Sequence, residues 1–215
     1  MKKFINGCAG IVAGLGILVF ITYECKREKQ PPPPKIAPEY TAPRENHERL
    51  DHHALPLLKD RYVAIVKHGD TTITWNRWMG EWRKTYYAER KRLGNSAYST
   101  YKVYNENLNM IQESQQFQNG MIMGWQAEYD DMGKLVKTYD ADKDFNFTID
   151  DLIKKIKEEY NVDLTKQLPE GQWAKRYRVS SSPLAKYTLM IKSNGKMWYL
   201  EIDGDGGYYR HKNQM

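Results

Sequence analysis

The chain holds 215 residues with a net charge of +6 and a hydrophobic fraction of 40 %, enough for one modest folded domain beside a membrane segment. Its two cysteines are Cys8 and Cys25, which excludes a disulfide framework or a thiolate metal site beyond them.

The first element is apolar. Phe4 to Tyr23 carries no charge; Lys2 and Lys3 precede it, and Glu24, Lys26, Arg27, Glu28 and Lys29 follow. As a helix rising about 1.5 Å per residue it reaches roughly 30 Å, the thickness of a bilayer's hydrocarbon. A cleaved signal has a shorter apolar centre and small residues before the cut. This run ends Phe20-Ile21-Thr22-Tyr23-Glu24-Cys25, without them. Residues 1–25 therefore read as an uncleaved transmembrane anchor. Basic residues nearly balance across it, and the very short leading tail favours a cytoplasmic N-terminus with the remainder outside, periplasmic or at the cell surface. Gly10 and Gly14 form a GxxxG face through which two such helices would pair as a homodimer. Cys25 is placed for acylation or a cross-link.

Residues 26–56 read as a linker. Pro31 to Pro34 are adjacent, and Pro38, Pro43 and Pro56 follow, a composition that favours an extended, semi-rigid spacer or a ligand for an aromatic groove. His47 and His52 are five apart, not the four that a zinc-protease helix needs. That leaves His52 and His53 as weak surface ligands.

Residues 57–215 read as an α+β domain with long central helices and a small antiparallel sheet. It opens with a hairpin of Tyr62–Lys67 and Thr72–Trp75 across Gly69-Asp70, a register that faces Val66 to Ile73 and Ala64 to Trp75. Helical spacing of Trp75, Trp78, Met79, Trp82 and Tyr86 predicts a helix over 76–93 closed by Gly94. Its outer surface would carry Arg77, Arg83, Lys84, Arg90, Lys91 and Arg92, suited to an anionic polymer or lipid headgroup. A position outside the cytoplasm argues against nucleic acid.

From Ala97 through Tyr101, Tyr104, Leu108 and Ile111 to Val136 and Tyr139, residues recur four and three apart, interrupted by Gln115 and Gln118. That spacing predicts one long helix, or an antiparallel helical hairpin turning at Asn119-Gly120. A short helix follows over 149–160, with Thr148 and Asp151 as a capping box and Leu152, Ile153 and Ile156 inward. The clearest strands are Tyr187–Lys192 and Lys196–Ile202 about Asn194-Gly195. They pair Ile191 with Trp198, Leu189 with Leu200 and Tyr187 with Ile202. Lys175–Val179 and Tyr208–His211 extend this sheet on either side.

One segment carries candidate metal chemistry. Asp140, Asp142, Asp144, Asn146, Thr148 and Asp151 occupy the first, third, fifth, seventh, ninth and twelfth places of a stretch that resembles an EF-hand calcium loop. Phe145 stands at the glycine position and Asp151 at the glutamate position. The resemblance implies calcium held between two helices; an acidic, capped interhelical loop is the competing reading. No motif supplies catalytic residues: Ser96 lacks the second glycine of a nucleophile elbow, and no phosphate loop follows a strand. The sequence thus points to a membrane-anchored, non-enzymatic binding or scaffold component of a cell envelope, with a protein or an anionic envelope polymer as partner. A calcium-binding module and an envelope hydrolase with no visible site are the alternatives.

Overall fold

Polar turns cut the middle of the chain into strands. The Oδ1 atom of Asn105 accepts the amides of Asn107 and Asn109, and that of Asp130 accepts those of Met132 and Lys134. Such local side-chain bonding competes with helix and favours reversal. The seven strands so delimited are β1 (Val63–His68), β2 (Thr71–Met79), β3 (Thr85–Leu93), β4 (Tyr98–Tyr104), β5 (Met110–Phe117), β6 (Met121–Tyr129) and β7 (Leu135–Asp140). They form one antiparallel sheet in sequence order.

The computed structural model describes residues 44–118, 120–178 and 185–215. The apolar run with Cys8, Gly10, Gly14 and Cys25, and the proline cluster, lie outside them. No helix among the described residues is long and apolar enough to cross a membrane.

The α+β architecture with long central helices is corrected by this sheet. Residues 76–93 form most of β2 and β3, and the four-three spacing from Ala97 to Tyr139 runs through β4 to β7. The spacing does not mark one surface. Tyr101 lies opposite Arg90 and Ser114, whereas Tyr104 lies opposite Tyr87 and Met110 on the other face. A step of three reverses face in a strand, and here such steps fall across turns or beside bulges such as those at Val103/Tyr104 and Ser114/Gln115. The first hairpin does keep its expected register, with Val66 opposite Ile73 and Ala64 opposite Trp75.

One face of the sheet is covered. Ala64, Val66, Ile73, Trp75, Tyr104, Met110, Ala127 and Tyr129 gather there with Leu50, Ala54 and Leu58. The last three come from a strap over residues 44–58, which includes helix α1 (Ala54–Leu58). The Asn46 amide donates to the Gly133 carbonyl, Leu50 to Leu108, and Met110 to Glu48. From Arg44 onward, then, the stretch read as linker belongs to the folded unit. The Glu48 carboxylate takes bonds from Lys102 Nζ and the Tyr104 hydroxyl. Burial, and then the carboxylates around it, hold the Tyr104 phenol above its ordinary pKa.

The second sheet joins β8 (Trp173–Arg178), β9 (Ala185–Ser193), β10 (Lys196–Asp203) and β11 (Tyr209–Gln214) in the order β11-β10-β9-β8. Ile191 faces Trp198, Leu189 faces Leu200 and Tyr187 faces Ile202, as the sequence predicts. Asn194 and Gly195 both take positive φ, 51° and 77°, the requirement of a tight type I′ turn. Helix α2 (Ile149–Tyr160) lays Leu152, Ile156 and Tyr160 into a core with Leu189, Ile191 and Leu200, joined by Phe117, Met121 and Met123 from the large sheet.

The capping box of α2 is present: Thr148 Oγ1 accepts the Asp151 amide at 3.2 Å, and the Asp151 carboxylate accepts the Thr148 amide at 3.0 Å. Thr148→Ala removes one of these bonds and should cost about 1 kcal/mol. A thermal melt of the full chain in detergent should show a midpoint roughly 2–4 °C lower. An unchanged midpoint would mean the cap contributes nothing.

Candidate functional site

Strand alternation decides which charged residues meet. Arg90 and Arg92 are two apart on β3 and share the face opposite the strap. Lys91 lies between them and points to the strap side, opposite Ile73 and Thr100. Arg77 also turns away: its Nη1 donates to the Lys59 carbonyl at 3.2 Å, and its guanidinium lies 5.7 Å from the Tyr62 ring. Arg83 and Lys84 are exposed in the β2–β3 connection. Of the six basic residues expected on one surface, the structure brings together two.

Those two head parallel rows across the sheet. Arg92 lies opposite Ser99, Ser99 opposite Gln116 and Gln116 opposite Ile122; Arg90 lies opposite Tyr101, Tyr101 opposite Ser114 and Ser114 opposite Gln126. Nη2 of Arg90 donates to Gln116 Oε1 at 3.0 Å, and its guanidinium sits 5.4 Å from the Tyr101 ring centre. Toward β1 the same face turns aromatic and aliphatic. Trp78 stacks on Tyr86 with centroids 5.9 Å apart, and Val63 and Ile65 are exposed.

Ala88 and Val103 are buried on this face but belong to neither hydrophobic cluster. Its polar groups are incompletely matched. Ser99 is 7 % and Ser114 1 % exposed, and neither hydroxyl has a hydrogen-bond partner among the described residues. The Nε atoms of Arg90 and Arg92 are also buried without a partner. Burial, and then the charge of Arg90, lower the Arg92 pKa from its ordinary value. Among the described residues no carboxylate pairs with either arginine. Buried polar groups are normally satisfied, so four such atoms in two adjacent rows need a reason.

No protein-family model, curated protein or solved structure matches this chain.

The acidic loop has another arrangement. A strand, β7, precedes it rather than a helix. Asp140 Oδ1 accepts the Asp142 amide; Asp142 pairs with Arg176 at 2.6 Å through Oδ1 and accepts the Gly124 amide through Oδ2. Asn146 Nδ2 donates to Asp205, and Thr148 and Asp151 cap α2. The ring of Phe145 is buried against Tyr187 and beneath the Arg176 guanidinium. Among the described residues, the one group of three His, Cys, Asp or Glu ligand atoms within 4.8 Å of one another is Asp51, His52 and His53, all exposed.

A hollow of about 80 Å³ lies between the β3 start and the β4–β5 turn, lined by Lys84, Tyr86, Asn105, Glu106, Asn107, Ile111 and Asp131. Asn105 Nδ2 donates to Asp131 Oδ1 at 2.6 Å there. Sequence reasoning missed Ser99, Tyr101, Ser114, Gln116 and the Trp78–Tyr86 stack as surface partners of Arg90 and Arg92. No local alternation marks them: residues 112–116 are polar without a break, and Ser99 and Thr100 are adjacent.

Proposed function

We propose that this chain is a membrane-tethered, non-enzymatic binding module of a cell envelope. Phe4–Tyr23 would hold it beside the bilayer, and the sheet face opposite the strap would engage a protein or an anionic envelope polymer. The observation that carries this reading is that face itself, with two arginines lacking a carboxylate partner and two serines lacking a hydrogen-bond partner among the described residues, beside a stacked tryptophan. Tryptophan, tyrosine and arginine are the residues in which binding energy concentrates. A tether also raises the local concentration of a module relative to partners in the same envelope, so modest affinity per site suffices.

Photo-crosslinking amino acids at Thr74 and Tyr101, on the binding face, and at Lys91, on the strap side, test this in intact cells. The same adducts should be recovered from Thr74 and Tyr101 and not from Lys91, and the protein should stay in the membrane fraction without detergent. Recovery of uncrosslinked monomer from all three positions, or release on cell breakage, would overturn the proposal.

A further inference from the structure

We infer that the two rows headed by Arg90 and Arg92 form a subsite for a phosphoryl oxyanion, with Ser99, Ser114 and Gln116 as neutral donors beside them. This rests on the binding face proposed above and names the chemistry it recognises.

The reasons are electrostatic and geometric. Two guanidinium groups on alternate residues of one strand repel each other, and nothing among the described residues neutralises them. An anion between or above them removes that repulsion and adds charge-assisted bonds, which are stronger than neutral ones. Arginine also matches the oxygen geometry of phosphate bidentately, whereas lysine acts as a point charge. The two buried Nε–H groups have no acceptor among the described residues. A guanidinium that turns toward a bound oxyanion gains one, so the orphaned donors hold unused capacity that a ligand can satisfy. Ser99 stands directly opposite Arg92, and Ser114 lies one strand beyond Tyr101 in the Arg90 row; each supplies a hydroxyl donor. Gln116 already bonds Arg90, which fixes one side chain before binding and lowers the ordering cost.

The acidic side chains of the surroundings do not contradict this. Glu89 and Glu113 belong to the strap face, the former bonded to Trp75 Nε1 at 3.0 Å. Glu128 stands in another row of the binding face, opposite Gln112 and Lys137, and takes a bond from Gln126.

The phosphoryl group could come from free phosphate, a phosphodiester polymer or a lipid headgroup, and the test separates these sources. The full chain is placed in nanodiscs of phosphatidylcholine, and its melting point and heat of binding are followed with inorganic phosphate, then with poly(glycerol phosphate), at constant ionic strength. Nanodiscs containing phosphatidylglycerol form the third arm. At least one arm should show saturable stabilisation, and Arg92→Gln and Arg90→Gln should each weaken it on the order of tenfold or more, the loss of one charge-assisted pair. Lys91→Gln removes the same charge from the opposite face and should change binding less than about twofold, as a distant surface charge would. Should the arginine variants fail to fold, Ser99→Ala decides. It removes an orphaned hydroxyl, so the free protein should melt at the same temperature or higher, while phosphoryl binding weakens several-fold.

Absence of saturable binding in all three arms overturns the subsite. So does equal weakening by Lys91→Gln, which would reveal unspecific charge attraction. If the subsite fails while crosslinks at Thr74 and Tyr101 persist, the binding face stands and its ligand has another chemistry. Loss of both removes the face.

Discussion

Gln118→Ala should be among the most damaging single substitutions in the folded unit, with a loss of about 3 kcal/mol and a melting point lower by roughly 6–12 °C. Gln118 follows β5 at the joint between the two sheets and is 1 % exposed. Its Nε2 donates to the carbonyls of Leu164 at 2.8 Å and Lys166 at 2.9 Å, and its Oε1 accepts the Leu168 amide at 3.1 Å. Its own amide donates to Ala97, whose amide in turn donates to Thr165. One side chain thus satisfies three backbone groups of the segment leading from α2 to β8. Truncation strands those groups, and each costs about 1–3 kcal/mol where water cannot reach it.

Gln118→Leu separates bonding from volume. Leucine fills similar space and leaves the same three groups unpaired, so its melt should fall about as far as that of alanine. A leucine variant near wild type would show that Gln118 serves as filler.

That residue also marks what the sequence hides. Its place in the four-three spacing reads as a polar layer in a helical seam, whereas it stands just past a strand end with φ of 52°. Helical periodicity is a count of positions and takes no account of residue type. The composition of 97–139 favours strands: five tyrosines with Phe117 and Trp125 stand against two alanines and two leucines. Turn residues at Gly94-Asn95, Asn105–Asn109, Asn119-Gly120 and Asp130–Gly133 recur at the interval expected of a meander. The last hairpin was legible because turn and pattern agree there: Asn194-Gly195 fixes the register, and alternation places Leu189, Ile191, Leu200 and Ile202 inward. Helix α2 was legible for the same reason, with Thr148 and Asp151 at its start and Leu152 and Ile156 one turn apart. For the binding face, only Arg90 and Arg92 could be nominated from sequence. Their partners arrive from β4 and β5 across strand pairings that no local pattern specifies.

Gly133→Ala should be the second severe substitution, with a loss of about 2–4 kcal/mol, for a reason that has nothing to do with core volume. Gly133 closes the β6–β7 turn at φ +79°, a region costly for any residue with a side chain. A Cβ built there would stand 2.3 Å from the Asn46 carbonyl oxygen and 3.0 Å from its carbon, closer than atoms can approach. Both are backbone atoms of the strap, which the Asn46 amide holds at this point by a 2.7 Å bond to the Gly133 carbonyl. Something must move, and the strap is the less constrained side, because it meets the sheet through a few bonds and the buried Leu50, Ala54 and Leu58. Amide exchange should therefore quicken at Asn46, Leu50, Met110 and Leu135, the donors along this contact, while the β9–β10 amides keep their protection. Gly133→Asn tells the two causes apart. Asparagine tolerates left-handed backbone better than alanine but carries the same Cβ, so it should be nearly as damaging. Full rescue by asparagine would mean that backbone conformation sets the cost and that the strap is not pressed against this turn.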